Sequence, residues 1–207
     1  MKYSHLGALF LISAATFVNA QDARFGLQAT LSKPQGDMGD ANRLDGKLGY
    51  GLGLQISVDL KGGLVIVPRF DYTTYKRSAS ETTHYPVVDL TLDTELKASI
   101  LYVGADFNYY TNGKSNIGFY LLAGLGYSSG KFETTITGKA QNEYGNITNI
   151  GISDSTTSGA FYIAAGAGYS FNKNIGTEIR YIGLNKYSDN GTDMASPSLN
   201  ISLVARF

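Results

Sequence analysis

Apolar and polar side chains alternate with a period of two through most of the chain after residue 20. In segment 199–207 every odd position is apolar, while Asn200, Ser202 and Arg206 stand at even positions. Successive side chains of a β-strand point to opposite faces, so this alternation predicts strands with one apolar and one polar face. Eight segments follow the pattern: 24–31, 49–59, 66–73, 101–109, 119–128, 161–170, 175–181 and 199–207.

All charged side chains of the eight predicted strands lie on the polar face. Four are basic and four are acidic: Arg24, Asp59, Arg69, Asp71, Asp106, Glu178, Arg180 and Arg206. A buried charge is costly unless an opposite charge pairs with it. The balance predicts a network of ion pairs on an enclosed face. A β-sandwich also alternates, with its apolar face inward, so the alternation alone leaves both a barrel and a sandwich open.

The lengths of the connections favour a membrane barrel. The predicted connections alternate strictly between short and long: 61–63, 111–116 and 172–174 are short, whereas 32–47, 76–95, 130–158 and 185–196 are long. Outer-membrane barrels have short periplasmic turns and longer extracellular loops. A Greek-key sandwich has no reason to sort its connections in this way.

Aromatic residues mark both ends of the predicted strands. The short-turn end has Phe25, Phe107, Tyr109, Phe119 and Tyr169, and the long-loop end has Tyr50, Tyr72, Tyr127, Phe161 and Tyr181. The stretch 119–127 rises about 20 Å, at ~3.3 Å per residue and a tilt near ~40°. These aromatics therefore predict two girdles at the interfaces of a membrane.

The enclosed face combines large and very small side chains. Tyr102, Tyr120 and Tyr162 point inward in this register, and glycine occupies the inward positions 49, 51, 53, 124, 126, 166 and 168. The interior of an eight-stranded barrel is just wide enough for side chains to fill. We therefore expect a polar lumen filled by the tyrosines and the charge network.

The first twenty residues have the features of a secretory signal peptide. An apolar run over 6–18 follows Lys2 and precedes the small-residue site Val18-Asn19-Ala20, which predicts cleavage before Gln21. The run is too short for a transmembrane helix, which needs about 20 residues. We expect residues 1–20 to be removed and residues 21–207 to form the folded domain.

The composition excludes several classes of protein. The 207 residues carry 17 basic and 17 acidic side chains, and only 16% of them are charged. This balance argues against a disordered chain and against a nucleic-acid binder. The chain has no cysteine and two histidines, so neither disulfides nor a thiolate or histidine metal site is expected, and no cofactor is implied.

With these strands, girdles and turns, the chain resembles the OmpA/OmpX-type small outer-membrane β-barrels of Gram-negative bacteria. The resemblance implies an all-β, eight-stranded antiparallel up-and-down transmembrane β-barrel in the outer membrane, surrounded by lipid and expected to be a monomer. The closing segment 201–207, with Leu203 and the terminal Phe207, is similar to the signal read by the barrel assembly machinery, although Ala205 replaces a frequent aromatic.

The apolar parity inverts beyond the long-loop girdle. Apolar residues move to the inward parity at Val88, Leu90, Leu92 and Leu96, at Phe132 and Ile136, and at Ile150 and Ile152. Strands that continue into water would show this inversion, because their outer face must then be polar. The alternative is a bulge or a plain loop with chance spacing. An exposed strand edge in a protruding sheet would be able to pair with another chain.

Each candidate catalytic or metal motif lacks residues that its chemistry requires. His84, in a predicted loop, lacks the neighbours of a lipid-modifying site, and Asp71, Asp106 and Glu178 share their face with arginines, which favours a salt network over acid–base chemistry. The loop carboxylates Asp37, Asp40 and Asp45 lack the closing Glu of a calcium loop.

The sequence thus favours a non-enzymatic outer-membrane barrel with a filled polar lumen, whose extracellular loops stabilise the surface or bind a partner protein, as in adhesion. A narrow pore for ions or small solutes is the alternative. A lipid- or peptide-modifying barrel enzyme is the third hypothesis.

Overall fold

The computed structural model of the chain describes residues 23–41, 43–85, 88–142, 147–183, 186–189 and 192–207. The signal peptide predicted at 1–20 lies outside these residues. Within the described part of the chain, no helix has the length and apolar character needed to span a membrane.

The described residues form strands almost throughout. The strands are β1 (Ala23–Pro34), β2 (Gly49–Asp59), β3 (Leu64–Tyr85), β4 (Val88–Tyr110), β5 (Gly118–Asn142), β6 (Ile147–Ser170), β7 (Ile175–Gly183), β8 (Lys186–Asp189), β9 (Thr192–Ala195) and β10 (Ser198–Arg206). A 3₁₀ turn, Gly36–Gly39, lies in the connection between β1 and β2, which we call loop 1. The small β8–β9 hairpin connects β7 to β10.

Eight of the strands close into an antiparallel barrel in the order β1-β10-β7-β6-β5-β4-β3-β2. The ring closes where β1 pairs with β10, from Gly26 opposite Arg206 to Pro34 opposite Ser198. Closure satisfies the backbone groups of both terminal strands, which an open sheet in lipid would leave unpaired. The predicted fold class, an eight-stranded up-and-down barrel, is confirmed.

The predicted faces also hold through the barrel wall. In β10 exposed and buried residues alternate almost strictly, with Ile201 half exposed toward lipid and Ser202 buried in the lumen. Val58 departs from the prediction: its position belongs to the lipid face, yet it is buried between its register partners Ala23 and Ile66. It lies near the short-turn end, where the alternation of β2 breaks down.

Strands β3 to β6 continue far beyond the membrane. Each has 22 to 25 residues, against 9 to 12 in β1, β2, β7 and β10. The pairing of β3 with β4 is unbroken from Leu64 opposite Tyr109 to Tyr85 opposite Val88. The prediction of loops at 76–95 and 130–158 is therefore wrong, because most of these residues belong to strands. From residue 72 to residue 85 the strand rises about 43 Å at ~3.3 Å per residue.

This four-stranded extension, which we call the protruding sheet, explains the inverted apolar pattern. No bulge shifts the register, so the side of the sheet that faces the lumen lower down becomes the apolar inner face above. Leu96 and Phe132 pack there against the barrel core, whereas Ile136, opposite Ile152, stays exposed. Continuous strands, rather than a bulge or a loop, account for the sequence pattern.

Replacing Leu121 with Arg tests which part of β5 is embedded in lipid. Leu121 points outward within the barrel wall, so Leu121→Arg should lower the free energy of unfolding by about 2–4 kcal/mol. Thr135→Arg, on the same face of the same strand but beyond the girdle, should change it by less than about 0.5 kcal/mol. Urea unfolding in lipid vesicles measures both, and equal effects would contradict the assigned membrane position.

Candidate functional site

The centre of the lumen is built around Arg69 of β3. Its Nε lies 3.1 Å from Oδ2 of Asp106, and its two terminal nitrogens donate to both carboxylate oxygens of Glu178 at 2.9 and 3.3 Å. The hydroxyl of Tyr120 donates to the same Glu178 carboxylate at 3.1 Å. The guanidinium and both carboxylates are almost fully buried, so solvent does not compete for these bonds.

Arg180 of β7 completes the network. Its Nη2 donates to Oδ1 of Asp106 at 2.9 Å, and its Nη1 lies 3.4 Å from Oδ2 of Asp71. Gln28 of β1 donates to the other oxygen of Asp71 at 2.9 Å. Asp106 is thus shared by two arginines. We call the five charged side chains Arg69, Asp71, Asp106, Glu178 and Arg180 the lumen network.

The lumen network connects opposite walls of the barrel. Strands β3 and β7 stand four places apart in the eight-membered ring, so the pair Arg69–Glu178 crosses the full width of the lumen. The space comes from glycine: a Cβ at Gly124 would collide with the Asp106 carboxylate, and a Cβ at Gly53 would collide with that of Asp71. Gly124 and Gly53 therefore leave the space that these two carboxylates occupy, whereas Gly168 leaves space for the ring of Tyr120.

Packed apolar layers close the lumen on both sides of this network. On the extracellular side Tyr102 and Tyr162 meet edge to face, with ring centroids 5.5 Å apart. Loop 1 and the β8–β9 hairpin cover them, and the buried members of this upper plug are Met38, Leu44, Tyr75, Ala98, Ile100, Tyr102, Ala160, Tyr162, Ala164, Ile182, Tyr187 and Met194. The periplasmic side has a smaller cluster of Val65, Val67, Tyr110, Tyr120 and Leu122.

Three of the charges predicted for the network lie outside it. Arg206 is buried near the periplasmic end and donates to Ser170 at 3.1 Å. Asp59 is the last residue of β2, and its carboxylate accepts from the backbone N–H of Lys61 at 2.7 Å in the turn. Arg24 is half-buried near the start of β1 and forms no ion pair with a described carboxylate. All three stand near strand ends, where the lumen meets the periplasmic rim.

Several lumen residues were not predicted as site residues. Gln28 holds Asp71, and Tyr110 packs on Tyr120 with centroids 4.9 Å apart. The inward parity of each strand contained this information, because both residues occupy inward positions. A neutral amide and an aromatic at a strand end carry no charge, so the pattern of charged residues does not single them out.

All ten predicted girdle aromatics lie on the outer surface. Phe25, Tyr50, Tyr72, Phe107, Tyr109, Phe119, Tyr127, Phe161, Tyr169 and Tyr181 are each exposed. Neighbouring strands bring them together: Tyr127 lies opposite Phe161, with ring centroids 5.4 Å apart, and Phe119 lies opposite Tyr169. Leu203 and Phe207 of the closing segment are also exposed on the outside of the barrel.

The outer face of the protruding sheet is charged just beyond the upper girdle. Lys76 pairs with Glu95 at 2.9 Å, and Glu133 contacts Lys131 at 2.7 Å and Lys97 at 3.7 Å. The hydrogen bond from Lys131 lowers the pKa of Glu133 below its usual value. This face is therefore solvated, as the inverted pattern requires.

The protruding sheet has two edges of different character. Above the barrel β3 pairs only with β4, and its Arg77 donates to the carbonyls of Ala41 and Arg43, so loop 1 lies beside this edge. Strand β6 pairs with β7 from Ile163 onward, and β8 packs beside β6 just above that point. Further out, no described strand pairs with the outer side of 147–155. Segment 147–159 contains one charge, Asp154, and no proline or lysine.

The loop carboxylate Asp37 has a structural role, and His84 belongs to a strand. Asp37 accepts from the backbone N–H of Ala195 at 2.7 Å and thereby fastens loop 1 to the hairpin. His84 lies in β3 opposite Asp89, not in a loop as predicted. Among the described residues no group of three or more His, Cys, Asp or Glu side chains is placed to hold a metal ion.

The closed ring, the two girdles and the short turns define an integral outer-membrane β-barrel. The family model described as outer membrane protein beta-barrel domain matches residues 4–207, and the chain belongs to this family. Its resemblance to the small OmpA/OmpX-type barrels is confirmed, and it is located in the outer membrane of a Gram-negative bacterium.

Solved structures from several bacteria are similar to this chain. The N-terminal β-barrel domain of Pseudomonas aeruginosa OprF is 14% identical with a TM-score of 0.50, and covers 89% of this chain and 97% of its own. A major outer membrane protein from Thermus thermophilus is 14% identical with a TM-score of 0.55, and the match covers 90% of this chain and 100% of its own. Yersinia pestis Ail is 14% identical with a TM-score of 0.49, and the match covers 89% of this chain and 97% of its own. No curated protein matches the chain significantly.

The shared role of Arg69 predicts a large cost for its removal. Arg69→Met leaves Asp106 and Glu178 short of a buried partner, so the free energy of unfolding should fall by about 3–5 kcal/mol. Arg24→Met is the matched control, because Arg24 is half-buried and forms no described ion pair, and should cost less than about 1 kcal/mol.

Urea unfolding in vesicles measures both variants. Adding Glu178→Gln to Arg69→Met should recover part of the loss, because it removes an uncompensated carboxylate. Equal costs for Arg69→Met and Arg24→Met would mean that the lumen network does not stabilise the barrel.

Proposed function

We propose that this protein is a non-enzymatic surface protein, in which a closed barrel anchors the protruding sheet and the free edge of β6 binds a partner protein outside the cell. The observation that carries the proposal is the edge of β6 at 147–155, which pairs with no described strand on its outer side, stands above the membrane and has almost no charge. The proposal includes the monomeric state and recognition of Leu203 and Phe207 by the barrel assembly machinery.

The filled lumen favours this role over a narrow pore. A water path would have to pass the aromatic pair Tyr102–Tyr162, then the lumen network, then Tyr110 and Tyr120. Separating the ion pairs would leave buried charges uncompensated, at a cost of several kcal/mol for each ion. A steady current through this lumen is therefore not expected.

The arrangement of the polar side chains also disfavours a barrel enzyme. Asp71, Asp106 and Glu178 are each held by an arginine inside the wall. The described histidine, His84, lies on the same strand as Asp71, and the stretch from residue 71 to residue 84 rises about 43 Å. No triad can combine groups that far apart.

The β6 edge has the chemistry of a strand-addition site. Natural edge strands are usually protected by lysine, proline, bulges or a covering loop. Segment 147–159 contains neither lysine nor proline. An added strand would hydrogen-bond to the β6 backbone, and its alternate apolar side chains would pack beside the exposed Ile150 and Ile152. Asp154 favours a basic residue in the partner.

Photochemical crosslinking in intact cells tests this proposal. The photoreactive residue benzoylphenylalanine replaces Ser153 on the β6 edge or, as the matched control, Ser80 on the β3 edge. We expect a covalent protein adduct from position 153 and none from position 80, because loop 1 and the local charges protect the β3 side.

A second substitution checks the contact. Ile152→Asp should abolish the adduct while leaving the heat-dependent migration of the barrel in SDS gels unchanged. Absence of any adduct at position 153, or equal adducts at both edges, would contradict the proposed binding edge.

A further inference from the structure

A cavity of about 380 Å³ lies on the inner side of the protruding sheet, above the lumen plug. Its apolar lining comes from three separate parts of the chain: Leu44 and Met38 of loop 1, Met194 of β9, and Leu96 and Phe132 of the sheet. Ligand cavities in proteins usually have volumes of about 300–1,000 Å³. The cavity is large enough for a small molecule, and on its far side it reaches Asp154 and Thr156 of β6.

Specific contacts hold the walls of this cavity. The ring of Phe132 packs edge to face on Tyr187, with centroids 5.3 Å apart, and the Tyr187 hydroxyl donates to Ser128 at 2.9 Å. The bond from Ala195 to Asp37 joins the hairpin to loop 1. Loop 1, the hairpin and the sheet therefore form one connected enclosure around an apolar floor.

The rim of the cavity carries a cation at one end. The exposed guanidinium of Arg43 contacts the sulfur of Met194, which is only a weak acceptor. Arg77 donates to the backbone carbonyl of Arg43 at 2.8 Å and brings a second positive charge to this end. No described carboxylate forms an ion pair with either arginine. A buried apolar floor beside unneutralised guanidinium groups is suited to an anionic ligand with an apolar body.

The opposite end of the cavity is negatively charged, because Asp154 of β6 lies there. The register across the sheet runs from Arg77 to Leu96, Thr134 and Asp154, one residue from each strand. With strands about 4.8 Å apart, the arginine end and Asp154 are separated by about 14 Å. An anionic group would thus bind at the Arg43 end, with its apolar body directed across Leu96 and Phe132.

We propose that this cavity binds an anionic single-chain amphiphile, with its carboxylate or phosphate on Arg43 and its acyl chain on the floor of Leu44, Leu96, Phe132 and the two methionines. An extended chain of roughly 10–12 carbons spans the ~14 Å width. Methionine adapts its shape to irregular apolar ligands, which suits a flexible chain. The ligand can come from a membrane lipid or from a free fatty acid, since both present this chemistry.

Methionine methyl groups provide a direct probe of the cavity. The chain has three methionines, of which Met38 and Met194 line the cavity and Met1 lies in the predicted signal peptide. Protein labelled with ¹³C-methyl methionine in phospholipid nanodiscs is titrated with laurate, dodecyl phosphate or uncharged dodecanol. We expect saturable shifts of both cavity methyl signals with laurate and dodecyl phosphate, and much weaker binding of dodecanol.

Matched variants assign the binding to the cavity. Arg43→Ala should raise the dissociation constant of laurate about tenfold or more, because it removes a charge-assisted bond. Lys139→Ala removes an exposed cation from the outer face of the same sheet and should leave the constant unchanged. Thr134→Trp fills the cavity from β5 and should abolish the shifts, whereas Thr135→Trp on the outer face should not.

The outcomes distinguish the proposal from its alternatives. Absence of saturable shifts, equal binding of dodecanol, or equal effects of Arg43→Ala and Lys139→Ala would overturn it. In nanodiscs that contain lipopolysaccharide, methyl signals already at their laurate-bound positions would identify a membrane lipid chain as the occupant. Signals that start unshifted and still respond to laurate would identify a free amphiphile. Neither result requires a partner protein, because the nanodisc titration contains only this protein, lipid and the added amphiphile.

Discussion

The sharing of Asp106 between Arg69 and Arg180 is the interaction on which the barrel interior depends. Two guanidiniums from opposite sides of the ring meet on one fully buried carboxylate, and each arginine has a further acidic partner in Glu178 or Asp71. In such a dry environment a pair is favourable only when both charges are well bonded. The strands must therefore close in one register, and Gly53 and Gly124 leave room for the carboxylates of Asp71 and Asp106.

Because the lumen is closed around the network, the candidate binding surfaces lie above the membrane. Tyrosine-rich packing closes the lumen above and below the charges. Four of its strands continue into water with an unbroken register and a polar outer face. Under the proposed function, the binding surfaces are the outer part of the β6 edge and the cavity on the inner face.

The alternation of side chains predicted the fold, the girdles and the inward charges, because the period of a strand is set by local geometry. It misassigned Arg24, Asp59 and Arg206 to the lumen network, because parity does not tell how far along the barrel axis a side chain lies. It placed loops at 76–95 and 130–158, where polar strands outside the membrane look like loops in composition. The cavity was beyond sequence reasoning: Met38 and Met194 meet only because loop 1 packs on the β8–β9 hairpin.

Chemical accessibility of the lumen tests the sealed network most directly. The chain has no cysteine, so Ser202→Cys introduces a single thiol beside Glu178 at the level of the network, and Thr135→Cys introduces one on the exposed sheet. In vesicles, a small methanethiosulfonate reagent should modify Thr135→Cys rapidly and Ser202→Cys only after unfolding. Modification of Ser202→Cys in the folded barrel at the rate of the exposed thiol would show a water-filled lumen and contradict the account.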